Sequence, residues 1–477
     1  MSSVSSFFLK GFIGKLGFEP TECQRRTLES IADFVTSDET MMVVNGYAGT
    51  GKTTALSAVI NTLAENRINC VLLAPTGRSA KVLSSYTGRK AYTIHKCIYK
   101  QKAISDDGTG EFSLGPNKNK DTLFIVDEAS LIGIDQGERI LAFGTGNLLE
   151  DLISFVGKGR DCKLIFAGDS AQLPPVGLDC SPALNGDFMR SLGASRFETL
   201  STVVRQKKET GILHNATIIR QHIGDGFGEM YGSVGKLSLE IDGFDDVERI
   251  RGGELIEKIG EAYGKYGEDS TVILCRSNKR ALRYNSGIRN CVQFKEEALV
   301  RGERLMIAKN CYRFQSEGED MEFIANGDMA RLLRISRHET RYGFHFAEAR
   351  LSFPDYDDRE VVAKVLLDTL ESEGPALGYE QQNALYRGVN EDYAHITSKK
   401  KRYEAVKEDP YFNALQLKYA NALTCHKSQG GQWDCVFIDN PFWQDEMTTD
   451  DLKWLYTAVT RAVSKVYFVN FKDELFR

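Results

Sequence analysis

Short apolar runs recur along the chain, each closed by a polar or glycine-rich turn. They are MMVVN at 41–45, CVLLA at 70–74, TLFIVD at 122–127 and KLIFAG at 163–168. Helical spacing follows the first two. The rhythm resumes with TVILCR at 271–276, CVFID at 435–439 and VYFVN at 466–470. Continuously apolar strands alternating with helices predict parallel sheets covered on both faces. Two such series predict an α/β fold with two sheet domains. Two stretches break the rhythm. Residues 102–121 are polar and turn-rich, which predicts a hairpin or small protrusion. Residues 326–420 alternate apolar and polar, then turn helical and charged, which predicts a small β-rich insertion with helical flanks. Inside it, the run Lys399–Arg402 reads either as a solvated face or as a phosphate-tracking one.

Length agrees with several domains, since 477 residues exceed what one core normally holds. The formal charge of -6 gives no global basic signal, but a basic groove can sit on an acidic body. Ten cysteines occur without metal-ligand spacing, which predicts reduced thiols in a cytoplasmic setting rather than a zinc site. No apolar run is long enough to span a bilayer. The N-terminal SSFFLKGFIGKLGF is interrupted by Lys10 and Lys15. It predicts a short amphipathic helix packed on the body rather than a signal peptide.

The first strand runs into a phosphate-binding loop, Gly46 to Thr53, fitting G-x-x-x-x-G-K-[ST]. Its glycines allow backbone N–H groups to wrap phosphates, and the helix that follows directs its positive end at them. Gly46, Ala48, Gly49, Thr50, Gly51 and Thr54 form the cradle with Lys52 and Thr53. Lys52 neutralises phosphate charge, and the Thr53 hydroxyl is placed for Mg²⁺. FIVDEAS delivers Asp127 and Glu128 at a buried strand end, Asp127 for Mg²⁺ and Glu128 to deprotonate the attacking water. FAGDSAQLPPVG ends the next strand. There Gln172 can sense a γ-phosphate, Asp169 can hold the loop, and Pro174 and Pro175 stiffen it. A carboxylate base and the lack of an N-K-x-D signature argue against a small GTPase.

GYAGTGKTT, APTGRSAKVL, TIHK, VDEAS, GDSAQLPPV, TVVRQ, ALTCHKSQGGQWD and LYTAVTRA follow one another in the order found in superfamily 1 DNA helicases. Over roughly Gln24 to Ala462 the chain resembles the RecD/Dda-type branch, which moves 5′ to 3′ on single-stranded DNA. The resemblance implies two RecA-like domains, 21–200 and 201–325 with 421–477. It also implies a wedge hairpin at 96–121, an SH3-like insertion at 326–420 and an N-terminal extension at 1–20. It implies an adenine contact from Gln24, arginine fingers at Arg205 and Arg461, and a γ-phosphate contact at Gly430. It implies DNA contacts from Thr76, Arg78, Thr93 and His95 on the first domain. On the second they come from Asn278, Thr424, His426, Lys427 and Ser428. Arg78, Lys81, Lys96 and Lys427 would make the groove locally positive. Phe112, the one aromatic of 102–121, reads either as the unwinding wedge or as a hairpin packing residue. Gly77 departs from the family, where a bulkier residue often follows APT. The implied activity is an ATP-dependent DNA helicase using ATP and Mg²⁺ on single-stranded, forked or overhanging DNA. The implied form is a working monomer, with replication or recombination machinery as partners. A motor subunit of a larger recombination or conjugation assembly is the alternative. A phosphate-loop switch without nucleic acid leaves TCHKSQG and AVTRA without a role.

Overall fold

The computed structural model describes residues 2–101, 112–134, 145–203, 210–223, 237–311, 324–442 and 447–477. Its first sheet has six parallel strands. In spatial order they are Ala91–Thr93, Asn69–Ala74, Thr122–Val126, Lys163–Gly168, Met41–Gly46 and Arg196–Leu200. The apolar runs follow from burial on both faces. Met42, Val44, Ile125 and Ile165 enter one apolar layer, while Met41, Val43, Phe124 and Phe166 enter the other. The second sheet orders Ala422–Thr424, Thr271–Cys275, Trp433–Asp439, Ala462–Val469 and Val247–Ile250, again all parallel. The helix Gly211–Ile223 packs with this second unit, joining Ile212, Ala216 and Ile219 to its core.

Between Thr271–Cys275 and its neighbour Ala422–Thr424 the chain builds a closed five-stranded barrel. Its strands are Arg304–Ile307, Met329–Arg341, Phe344–Phe353, Arg359–Leu366 and Leu415–Tyr419. The barrel therefore starts at Arg304, ahead of the expected boundary at 326. The four-residue opening strand is too short to carry an alternating pattern. Two helices, Tyr379–Asp392 and Lys399–Glu408, pack on the barrel through Leu385, Val389 and Val406. Lys399, Lys400 and Lys401 are exposed at the start of the second helix. The protrusion begins as a two-stranded ladder, Tyr99–Gln101 against Phe112–Leu114. Phe112 pairs with Gln101, but its side chain lies outside the described residues.

The N-terminal segment forms the helix Ser3–Leu16, capped by the Ser2 hydroxyl accepting from Ser5 N–H at 3.0 Å. Gly17 closes it at φ 75°. Phe8, Phe12 and Leu16, one turn apart, enter the core of the first domain. Gly11 lets this helix approach Lys52–Glu65, since a Cβ there would lie 2.5 Å from Thr62 Cγ2. Among the described residues no helix is long and apolar enough to cross a membrane. All ten cysteines are free thiols.

The helix Ser3–Leu16 thus supports the phosphate-loop helix from behind. Phe12→Ala should destabilise the first domain by about 3–5 kcal/mol. Denaturant unfolding followed by a probe in that domain measures the loss. A change below about 0.5 kcal/mol would mean that the helix is not part of that core.

Candidate nucleotide site and nucleic-acid interface

The strand Met41–Gly46 delivers the phosphate loop, and Lys52–Glu65 begins directly after Gly51. Gly49 and Gly51 adopt φ 74° and 76°, a region that glycine enters without steric cost. Asn45 stitches this strand end to the next. Its Oδ1 accepts from Ser170 N–H at 3.0 Å, and its Nδ2 donates to Ser170 Oγ at 2.9 Å. Lys52 Nζ lies 3.6 Å from Asp127 Oδ1, both side chains being nearly buried. Burial alone would lower the Lys52 pKa. The carboxylates of Asp127, Glu128 and Asp169 outweigh it and hold the ammonium above its ordinary value.

Glu128 sits in the left-handed region at φ 54°. Its N–H donates to Asp127 Oδ1 at 2.9 Å. Glu128 Oε2 and Gln172 Oε1 are both buried and form no hydrogen bond. Such atoms are costly unless something polar meets them. Both line a cleft of about 510 Å³ whose walls come from both sheet domains. The first domain contributes the phosphate loop, Asp127, Glu128, Asp169 and Gln172; the second contributes Gly430 and Arg461. Arg461 is buried. Its guanidinium donates to Thr457 O at 3.1 Å, Gly431 O at 3.2 Å and Thr460 Oγ1 at 3.3 Å, which parks it on its own domain. Arg205 lies outside the described residues.

A polar seam closes the cleft. Tyr456 Oη accepts from Ala48 N–H at 2.8 Å and donates to Asp169 Oδ2 at 2.7 Å. Burial and Asp169 push the Tyr456 pKa well up, so the hydroxyl keeps its proton. Thr457 Oγ1 accepts from Leu173 N–H at 2.8 Å, and Gln429 Nε2 donates to Leu173 O at 2.7 Å. The loop carrying Gln172 is therefore held by two groups of the second domain. Sequence reasoning missed Tyr456, Thr457 and Gln429 as site residues, although all three stand inside the LYTAVTRA and TCHKSQG strings. It also missed Phe18 and Tyr86, exposed aromatics at the cleft wall. Only their exposure, which sequence does not report, marks them out.

Several expected roles change. Gln24 is fully buried and does not line the cleft. Its Nε2 donates to Thr50 O at 2.9 Å, while its Oε1 accepts from Thr21 N–H at 3.0 Å in a capping box. The adenine contact expected of it is replaced by a brace from Glu22–Thr36 to the phosphate loop. Ser428 also faces inward, donating to Cys425 O at 2.7 Å, so it offers no hydroxyl to DNA. Arg78 does not face a groove. It stacks on Trp433 of the second domain, 4.1 Å from the ring centroid, and burial lowers its pKa.

The other DNA candidates divide between the domains. Thr76 and Thr93 are half-buried helix caps whose hydroxyls accept from Ser79 and Lys96 N–H, each at 3.2 Å. His95 lies 5.7 Å from the Tyr99 ring. On the second domain Asn278, Thr424 and Lys427 line one small cavity with Lys418 of the barrel. Lys427 Nζ donates to Asn326 Oδ1 of the barrel at 2.6 Å. Burial lowers the pKa of His426, so its imidazole favours the neutral form, and pushes Lys418 down to about 8.

Two parallel-sheet domains that share one phosphate-loop cleft define a two-domain nucleotide-binding class. A family model described as an AAA domain matches residues 21–233, and one described as a UvrD-like helicase C-terminal domain matches 419–469. The chain carries the first match over its phosphate-loop domain and the second over the segment that holds Gly430, Tyr456 and Arg461. It is 22% identical to the uncharacterized protein MJ1519 of Methanocaldococcus jannaschii, covering 90% of this chain but 36% of that one. It is 23% identical to the ATP-dependent DNA helicase dda of Enterobacteria phage T4, covering 94% and 99% respectively. A crystal structure of Pif1 helicase from Bacteroides with ADP-AlF3 and single-stranded DNA aligns at 14% identity with a TM-score of 0.46. That alignment covers 96% and 95% of the two chains.

The brace formed by Gln24 separates two outcomes. Gln24→Ala should raise KM for ATP and for GTP by the same factor, about tenfold, because it loosens the phosphate loop and not a base contact. A loss confined to ATP in steady-state kinetics would instead return Gln24 to the adenine.

Proposed function

We propose that this chain is an ATP-dependent DNA helicase that moves 5′ to 3′ along single-stranded DNA and opens duplex ahead of it. The observation that carries this reading is the shared cleft. The phosphate loop and Glu128 come from one domain, Arg461 and Gly430 from the other, and Tyr456 joins them. Nucleotide occupancy must then bias how the two domains stand to one another. Thr76, Thr93 and His95 on one domain, and Asn278, Thr424, His426 and Lys427 on the other, would hold the strand on alternate sides of that movement. Threonine and asparagine groups bind phosphate and sugar without reading bases, which suits a motor. The 5′-to-3′ direction rests on the family, and Phe112 remains the proposed wedge.

In the reaction, Lys52 balances charge on the transferred phosphoryl group. Glu128 takes a proton from the attacking water through its unpaired Oε2, and Gln172 Oε1 accepts a second hydrogen from that water. Three carboxylates around one ammonium leave an oxygen-rich, negatively charged set that fits Mg²⁺. Thr53 and Asp127 would hold that ion, which when bound neutralises phosphate charge. Arg461 would leave its three carbonyl and hydroxyl acceptors for the γ-phosphate, where a fixed, forked cation is most effective. Both domains lie in one chain, which supports a working monomer. The free thiols suit a reducing, cytoplasmic setting.

Duplexes bearing a 5′ or a 3′ single-stranded overhang, incubated with the purified chain, ATP and Mg²⁺, test the reading. Strand separation is expected from the 5′ overhang alone. Separation of only the 3′ substrate would reverse the polarity. No separation, despite faster ATP turnover on single-stranded DNA, would make the chain a motor without autonomous unwinding. In the same assay Glu128→Gln should cut ATP hydrolysis by about 100-fold or more while ATP-dependent DNA binding persists. Rapid hydrolysis in that variant would remove Glu128 as the base.

A further inference from the structure

A turn of the barrel also touches the first domain. The turn between the barrel strands Phe344–Phe353 and Arg359–Leu366 carries Pro354, Asp355 and Tyr356. It sits on the first turn of the helix Gly77–Thr87. Lys81 Nζ donates to the Pro354 carbonyl. The Asp355 carboxylate faces Arg78 and Lys81. Tyr356 reaches over Gly77, where any Cβ would collide with its hydroxyl, and that hydroxyl donates to Asp328 Oδ2 at 3.1 Å. The glycine that departs from the family pattern is thus the socket for a barrel tyrosine.

The contact is closed but poorly satisfied. Asp355 Oδ2 is buried and forms no hydrogen bond, although two cations stand nearby. A carboxylate removed from water without a donor opposes its own burial. The turn also occupies groups suited to another anion: a helix N-terminus with Lys81 one turn in, next to Thr76. An acidic side chain and a carbonyl oxygen here take the positions that strand phosphates would take.

We propose that the barrel turn Pro354–Tyr356 is an autoinhibitory plug that competes with the phosphates of single-stranded DNA for the first turn of the helix Gly77–Thr87. This rests on the helicase reading above. DNA must displace the turn to engage the first domain, so the plugged fraction of molecules weakens apparent DNA affinity. Once displaced, the turn no longer limits turnover.

The test uses the full chain and ATP turnover titrated with oligo-dT. Asp355→Ala and Tyr356→Ala should each lower the DNA concentration for half-maximal stimulation by about threefold to tenfold, with turnover at saturating DNA unchanged. Gly77→Ala, which expels the tyrosine from the other side, should shift it the same way. Unchanged saturating turnover also shows that each variant is folded. Wild-type stimulation with the same or weaker half-saturation in all three variants overturns the plug; the weaker case makes the turn a DNA-holding element. A wild-type chain indifferent to oligo-dT overturns the helicase reading and the plug together.

Discussion

The Tyr456 hydroxyl is the group on which the arrangement of the cleft depends. It accepts from Ala48 N–H in the phosphate loop and donates to Asp169, while its own helix, Thr449–Val459, belongs to the second domain. One oxygen therefore bonds to both the phosphate loop and Asp169 from across the cleft. Without it the buried Asp169 carboxylate would lose a donor, at a cost of about 1–3 kcal/mol. The bonds from Thr457 and Gln429 to Leu173 place the Gln172 loop on the same seam. The geometry around the phosphates is thus a property of the closed pair of domains and not of the first domain alone.

Much of this was legible in the sequence where chemistry and burial coincide. The central strands, buried on both faces, announce themselves as unbroken apolar runs. Edge strands such as Ala91–Thr93 and Val247–Ile250 are short and partly exposed, and they gave no such signal. The barrel's opening strand is buried throughout, but its four residues are too few to show a pattern. Motif spacing located Lys52, Asp127, Glu128 and Gln172, because strand ends bring them together whatever the side chains do next. It did not say which way a side chain turns. Gln24, Arg78 and Ser428 carry suitable groups in suitable strings, yet each is consumed by an internal partner. The seam residues escaped notice because inter-domain hydrogen bonds have no sequence period.

Charge is handled locally. The chain as a whole is acidic, and its most crowded acidic group surrounds Lys52, where cationic ligands and phosphates must be balanced. Among the residues proposed to face the strand, hydroxyls and amides predominate, and the basic residues first expected there are engaged elsewhere in the protein. Lys427 holds Asn326, and Arg78 holds Trp433. Binding that avoids a large reserve of free cations should depend less on salt than binding through a basic stripe.

The barrel is rooted in the second domain. Arg304 donates to the Thr271 carbonyl at 3.0 Å and accepts at its own carbonyl from Ala420 N–H at 3.1 Å, which fixes both chain crossings to the second sheet. Its turn at Tyr356 seats over Gly77 of the first domain and bonds back to Asp328 of the barrel. Mechanically this is a strut, fixed to the second sheet and keyed into the first domain. A rotation between the two sheets must therefore either carry the barrel along or draw that key from its socket.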